Sequence, residues 1–202
     1  MMTLYTIQHT ESQHHVNGMV GSWTDWPLTE NGLAQAKHIG ENLRRELAGE
    51  PAVLYTSDLQ RARQTAEQIG AQLGCPLIAR PELRERNLGR CCGKSVAWLR
   101  ENLECPERTV DDRLFSDGES RRDMWDRLLL FVREILSSEA PRMLIVAHGD
   151  LLSAFYAMFL DLPVEALNRC ELSGRAGGVS KLEIADDGRR RIRFLNDPSY
   201  IR

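Results

Sequence analysis

Two histidines constrain the fold of this chain more than any other feature. Each follows closely on a short apolar run of the kind that forms a β-strand: residues 4–7 end just before His9, and residues 143–146 end just before His148. A third such run precedes Arg61. In a parallel α/β sheet the carboxyl ends of the strands share one edge, and ligands bind in the crevice there. The sequence therefore predicts that two imidazoles and a guanidinium line one pocket for an anionic group.

Strand-like and helix-like patterns alternate along the rest of the chain. Further strands are predicted at residues 52–56, 77–79, 142–146, 179–184 and 192–195. Apolar residues at helical spacing predict helices that begin after Thr29, after a capping box formed by Ser57 and Gln60, near residues 96 and 119, and after Asp150. Residues 11–27 are predicted to be a polar loop. The alternation predicts a three-layer α/β/α sandwich around a mostly parallel sheet.

Length and composition restrict the class of protein. A chain of 202 residues with 42% hydrophobic residues is expected to form one domain, residues 1–202, with no visible signal peptide. A net charge of -3 gives no reason to expect nucleic acid as a partner, and no apolar run approaches the ~20 residues of a membrane span. Five cysteines without a C-x-x-C pair favour a reducing, cytoplasmic location over a disulfide framework.

The spacing of several motifs resembles that of the histidine phosphatase superfamily, which has the phosphoglycerate-mutase-like fold. Residues 57–66 match the superfamily's motif Ser-x-Leu-x-Arg-Ala-x-x-Thr-Ala at every fixed position. Residues 25–32 resemble its Asp-x-Pro-Leu-Thr-x-x-Gly stretch. The resemblance extends from residue 3 to about residue 196, and several motifs in the same order are more specific than any one of them.

The resemblance implies a role for each of four residues. His9 would be the nucleophile that forms a phosphohistidine, and Arg61 would hold phosphate oxygens in a bidentate manner. His148 would donate to the transferred phosphoryl group, and Glu85 would protonate the leaving group. Taken singly, each residue has a plainer structural explanation, so this prediction depends on their joint order. No cofactor is implied.

The first motif departs from the superfamily's usual Arg-His-Gly. Gln8 replaces the arginine, Thr10 replaces the glycine, and His15 occupies a position where many members have asparagine. Loss of one charged hydrogen bond, roughly 1.5–3 kcal/mol, predicts activity reduced by about 10- to 150-fold. If the loop needs positive φ after His9, Thr10 is also strained there. The predicted substrate-binding residues are Gln8, Thr10, Ser12, His15 and Gly149.

Three functions remain open at this point. The first is a metal-independent phosphatase acting on a small phosphorylated metabolite. The second is a phosphoglycerate-mutase-type phosphoryl transferase. Residues 84–118 are expected to cover the pocket, and mutases of the superfamily tend to be longer in this region. The short span between Glu85 and His148 therefore disfavours a mutase. The third is a catalytically weakened member that binds a phosphorylated ligand. The sequence leaves the substrate and the oligomeric state open.

A metal site is an alternative reading of the histidines. His14 and His15 lie close to His9 in the sequence and could join it as ligands. No spacing in that loop fixes a ligand geometry, and the resemblance gives His9 a role without metal. We therefore predict that no metal takes part.

Overall fold

In the computed structural model, which describes residues 1–202, six strands form one sheet in the order β3-β2-β4-β1-β5-β6. Strands β1, β2, β3 and β4 run parallel, and β5 and β6 are antiparallel to their neighbours. The predicted mostly parallel sheet is thereby confirmed. The strands are β1 (Met2–Gln8), β2 (Val53–Thr56), β3 (Leu77–Ala79), β4 (Arg142–Ala147), β5 (Val179–Ile184) and β6 (Arg190–Asp197).

Helices cover both faces of the sheet. Leu4 of β1 packs in an apolar cluster with residues from the helices near 121–136 and 149–159. Tyr5 and Ile7 pack in a second cluster on the opposite face, since successive side chains of a strand point to opposite sides. The predicted three-layer sandwich is confirmed. The helices are α1 (Gln13–Asn17), α2 (Glu30–Leu47), α3 (Gln60–Leu73), α4 (Val96–Asn102), α5 (Arg121–Leu136) and α6 (Gly149–Phe159), with short 3₁₀ helices at Pro81–Leu83, Gly89–Cys91, Val164–Asn168 and Pro198–Ile201.

Two local predictions were wrong. The segment predicted to be a polar loop contains the short helix α1, which begins after Ser12. Its capping box uses His15 in place of the usual Glu or Gln, so the pattern gave no helix signal. Helix α3 begins after Leu59 without a side-chain cap. The Ser57 hydroxyl bonds instead to the ring of His148, at 2.9 Å.

The segment between β3 and α5 has a small apolar cluster of its own. Val20 packs there against Cys91 and Phe115, and Trp98 of α4 stacks on Phe115 with ring centroids 5.7 Å apart. The segment therefore rests on the loop after β1 and so adjoins the carboxyl ends of the parallel strands. None of the helices combines the length and the apolar content that a bilayer crossing needs.

Candidate active site

Strand register brings the two sequence-predicted histidines together. Gln8 and Ala147 are paired at the ends of β1 and β4, so the residue after each lies at the same sheet edge. The rings of His9 and His148 have centroids 5.2 Å apart. A cavity of about 220 Å³ opens there. It is lined by Gln8, His9, His14, His15, Val20, Gly21, Ser22, Arg61, Glu85, Arg86, Leu88, Gly149 and Asp150.

His9 is held in one tautomer. Its Nδ1 lies 2.9 Å from the carbonyl of Thr10 and donates to it, so Nε2 carries no proton and is the acceptor nitrogen. Nε2 accepts a hydrogen bond from Nε of Arg61 at 3.1 Å. Burial, and next the charge of Arg61, hold the pKa of His9 well below its usual value. His9 is therefore a neutral imidazole, the form that a nucleophile needs.

Arg61 is fully buried and fixed by backbone carbonyls. Its Nη1 donates to the carbonyl of Thr24 and its Nη2 to that of Ser22, both at 2.8 Å. Burial lowers its pKa to about 10, so it remains a cation at neutral pH. A guanidinium has five N–H donors. Since the contacts to His9, Ser22 and Thr24 use three of them, donors remain for an anion beside His9.

His148 is oriented by Ser57, a contact that sequence reasoning missed. The Ser57 hydroxyl accepts from the amide of Leu59 at 3.3 Å and donates to Nε2 of His148 at 2.9 Å. The buried Nδ1 of His148 has no protein partner. The ring of His148 is the one acceptor that the Ser57 hydroxyl reaches, so Nε2 accepts and Nδ1 carries the proton. Burial, and next the charge of Arg61, lower the pKa of His148 well below its usual value.

Glu85 lies at the amino end of α6. Its Oε1 accepts from the amides of Leu151 and Arg86, both at 3.1 Å, and Oε2 accepts from the amide of Asp150 at 3.4 Å. Burial, and next the negative charge of Asp150, raise the pKa of Glu85 to about 7. A carboxyl that keeps its proton near neutral pH can act as a general acid.

Four of the five histidines lie in this site. The rings of His14 and His15 have centroids 5.6 and 5.3 Å from that of His9. Ser12, the residue before α1, bonds to both: its amide donates to Nδ1 of His15 at 3.2 Å, and its hydroxyl bonds to Nδ1 of His14. Burial is the main cause that lowers the pKa of His15 and brings that of His14 to about 3. Both rings are therefore neutral hydrogen-bonding groups.

Three of these histidines offer nitrogen atoms within 4.8 Å of one another, which is the residue type and number of a metal site. The Nε2 of His9, however, already accepts a hydrogen bond from the Arg61 guanidinium. A cation would have to displace that bond and sit beside a second full positive charge. The arrangement fits an anion better than a metal ion.

The remaining predicted residues divide into two groups. Gln8 and Gly149 line the cavity, and the side-chain Oε1 of Gln8 is buried without a partner. Thr10 lies behind the cavity wall, where its hydroxyl donates to the carbonyl of Gly32 at 2.8 Å and its amide to Thr65. Thr10 does not have positive φ, so the strain considered above is absent. Ser12 likewise lies outside the lining.

Sequence reasoning also missed Ser22, Arg86 and Asp150. Ser22 has a φ of 44° and presents its carbonyl to Arg61, a backbone strain of the kind found at functional sites. Arg86 and Asp150 lie in the cavity wall. The one signal available for Asp150 was its position directly after His148 and Gly149, at the predicted strand end.

Known sequences match nearly the whole chain. The family model of the histidine phosphatase superfamily (branch 1) matches residues 4–198. A probable phosphoglycerate mutase GpmB of Enterobacter sp. (strain 638) is 32% identical over 188 residues, which cover 91% of this chain and 85% of the relative. A second GpmB, of Klebsiella pneumoniae subsp. pneumoniae, is 33% identical over 178 residues, 85% of this chain and 81% of the relative.

Solved structures have the same fold. Bacillus stearothermophilus YhfR superposes with a TM-score of 0.85 at 29% identity over 100% of both chains. A mycobacterial glucosyl-3-phosphoglycerate phosphatase in complex with VO₃ gives 0.84 at 24% identity, covering 97% of this chain and 99% of the other. The alpha-ribazole phosphatase of Shigella flexneri gives 0.82 at 24% identity, with 98% and 97% covered.

Proposed function

Because the chain belongs to the histidine phosphatase superfamily, we propose that it is a metal-independent phosphatase that hydrolyses a small phosphorylated metabolite through a phosphohistidine on His9. The observation that carries this proposal is the tautomer of His9. Its Nδ1 is tied to the Thr10 carbonyl, and its neutral Nε2 faces the buried guanidinium of Arg61. A nucleophile and a fixed cation are thus adjacent where phosphorus would lie.

In the first step the Nε–H of Arg61 releases the lone pair of His9 Nε2, which attacks phosphorus as the ester P–O bond breaks. Arg61 turns its remaining N–H groups to the equatorial phosphate oxygens, and the Nδ1–H of His148 donates to the same group. Glu85 gives its proton to the departing alcohol oxygen. The products of this step are the free alcohol, a phosphohistidine and the Glu85 carboxylate.

The second step reverses these roles. The Glu85 carboxylate accepts a proton from water, and the hydroxide so formed attacks phosphorus. The N–P bond then breaks and inorganic phosphate leaves, which restores neutral His9 and protonated Glu85. Gln8, His15 and the amide of Gly149 would supply further donors to phosphate. Gln8 brings no charge, so we propose an activity below that of a member with arginine at this position.

Specific observations bear on the two alternative functions, a mutase and a protein that only binds a phosphorylated ligand. The curated relatives named above are called probable phosphoglycerate mutases, which favours a mutase as the second candidate. Two of the solved neighbours are named as a glucosyl-3-phosphoglycerate phosphatase and an alpha-ribazole phosphatase, which favours hydrolysis. A protein that only binds a phosphorylated ligand has no use for a buried carboxyl with a pKa of about 7, and Glu85 therefore argues against a pure binder.

We extend the proposal to organisation and location. Residues 1–202 would act as one catalytic domain, with residues 84–118 covering the pocket, because Arg86 and Leu88 from this segment line the cavity. The cytoplasm is proposed as the location since all five cysteines are free. The net charge of -3 supports a small-molecule substrate rather than nucleic acid.

A screen of phosphorylated metabolites tests the function directly. Purified protein is incubated with each compound, and released phosphate is measured beside His9→Ala protein. We expect release from at least one compound by the wild-type protein and none by the variant. No release from any compound, or equal release by both proteins, would contradict the proposal.

Chelation tests the absence of a metal. Because Arg61 supplies the positive charge beside His9, we expect phosphate release to be unchanged after exhaustive dialysis against EDTA, with metal content checked by mass spectrometry. Added Mg²⁺ should give no increase. A loss on chelation that Zn²⁺ or Mg²⁺ restores would instead assign a metal to His9, His14 and His15.

The pH dependence of kcat/KM tests the role of Glu85. Its raised pKa keeps the proton-donating form up to about pH 7, so activity should fall as pH rises through this value. On the acid side, activity should persist below 6.5, because the pKa of His9 lies well below that value. Asp150→Asn removes a charge that raises the pKa of Glu85, so the alkaline limb should move to lower pH. If the fall in kcat/KM at alkaline pH occurs at the same pH in the wild-type, Asp150→Asn and Glu85→Gln proteins, Glu85 is not the general acid.

A further inference from the structure

The outer wall of the cavity carries a charge arrangement that the proposed chemistry does not use. Arg86 lies there with a side chain only 5% exposed. Its Nη1 forms an ion pair with Glu107, and its Nε lies 3.4 Å from Oδ2 of Asp150. The second oxygen of Glu107 pairs with Arg121 at 3.2 Å. Two arginines and two carboxylates are therefore paired in this wall, although the Nε of Arg86 makes no hydrogen bond.

Asp150 is the accessible charge of this wall. Its side chain is 40% exposed, against 5% for Arg86 and 17% for Glu107. Its amide donates to Glu85, so its carboxylate stands beside the acid that would protonate the leaving group. A substrate whose phosphate lies at Arg61 would extend its alcohol portion towards this accessible carboxylate.

Of the lining residues, Arg86 offsets this charge, but its side chain is only 5% exposed. Arg61 is the second arginine of the lining, and it is fixed at the inner end by the carbonyls of Ser22 and Thr24. The histidines are neutral because burial lowers their pKa values. An anionic group on the leaving alcohol would thus meet the exposed carboxylate of Asp150 before the buried guanidinium of Arg86.

We propose that Asp150 selects the leaving group, so that the enzyme acts on phosphate esters of uncharged or cationic alcohols and rejects esters that carry a carboxylate or second phosphate. The proposal rests on the phosphatase function above and names its substrate class. Hydroxyl and ammonium groups can donate to the Asp150 carboxylate, whereas an anion at a similar distance is repelled. A cavity of about 220 Å³ also suits a compact polar ester.

A matched pair of substrates tests the selection. Glycerol 3-phosphate and 3-phosphoglycerate differ only in a terminal CH₂OH or carboxylate. At neutral pH we expect kcat/KM for glycerol 3-phosphate to be about tenfold higher than for 3-phosphoglycerate. This is the size of effect expected when the substrate carboxylate is repelled by the Asp150 carboxylate in a partly solvated site. In Asp150→Asn the ratio should fall to near one. Any effect of this variant on Glu85 applies to both esters and cancels in the ratio.

The control is Asp126→Asn, which removes one charge from an exposed position of α5 and should leave the ratio unchanged. A wild-type preference for 3-phosphoglycerate, or an unchanged ratio in Asp150→Asn, would overturn the selection. If the wild-type protein hydrolyses neither these esters nor any other, the phosphatase proposal fails. Calorimetric titration of His9→Ala with both esters then decides the selection separately: weaker binding of 3-phosphoglycerate supports it, and equal or tighter binding overturns it.

Discussion

Replacing His9 with alanine is expected to abolish phosphate release, with kcat/KM lower by at least about 10⁴-fold, the scale seen when a covalent nucleophile is removed. The loss should be this large because His9 offers the only ring nitrogen that is hydrogen-bonded to Arg61. His148 has its Nε2 bonded to Ser57, and the Nδ1 nitrogens of His14 and His15 are bonded to Ser12.

His38→Ala is the matched control for this change. His38 is the one histidine outside the site and lies exposed on α2, so its removal should leave kcat/KM unchanged. Thermal unfolding of both variants shows whether each is folded, since His9 is buried and its loss removes one hydrogen bond to Thr10. A folded His9→Ala protein that retains substantial turnover contradicts the mechanism.

Arg61→Ala is expected to lower kcat/KM by about 10³-fold, because it removes the charge-assisted hydrogen bonds to phosphate, each worth roughly 1.5–3 kcal/mol. Arg61→Lys should recover only a small part of this loss, because an ammonium cannot reach phosphate, His9 and the two loop carbonyls at once. Inhibition by inorganic phosphate should weaken in parallel, which ties the loss to anion binding.

Arg63→Ala provides a control on the same helix. Arg63 is 60% exposed and pairs with Glu67 one turn away, so its removal should change neither kcat/KM nor phosphate inhibition. If Arg61→Ala is folded and retains wild-type inhibition by phosphate, the anion lies elsewhere in the cavity. The proposed orientation of the substrate would then be wrong.

The sequence predicted those parts of the site that depend on strand ends. Apolar runs placed His9 and His148 at one sheet edge because the topology of parallel strands requires it. The position of Arg61 was predicted from the motif at residues 57–66, which leads from β2 into α3. The layers of the fold were predictable for the same reason, since the apolar patterns of α2, α3, α5 and α6 are long and regular.

The missed features depend on contacts between distant residues or on segments without an apolar pattern. Helix α1 has five residues and none is buried, so no periodicity marks it. The bond from Ser57 to His148 joins residues 91 positions apart. The ion pairs of Arg86 with Glu107 and Asp150 likewise require the folded chain. Local patterns therefore identified the residues proposed to react, but not Ser57, which bonds to His148, or the ion pairs in the cavity wall.

Trapping the covalent intermediate tests the central claim most directly. The protein is mixed for a short time with a good phosphoester substrate, quenched in alkali to preserve phosphohistidine, digested and analysed by mass spectrometry. The mechanism predicts an acid-labile phosphate on the peptide that contains His9, and no such label in His9→Ala protein. An active enzyme that never carries this label, or a label that persists in His9→Ala, would contradict it.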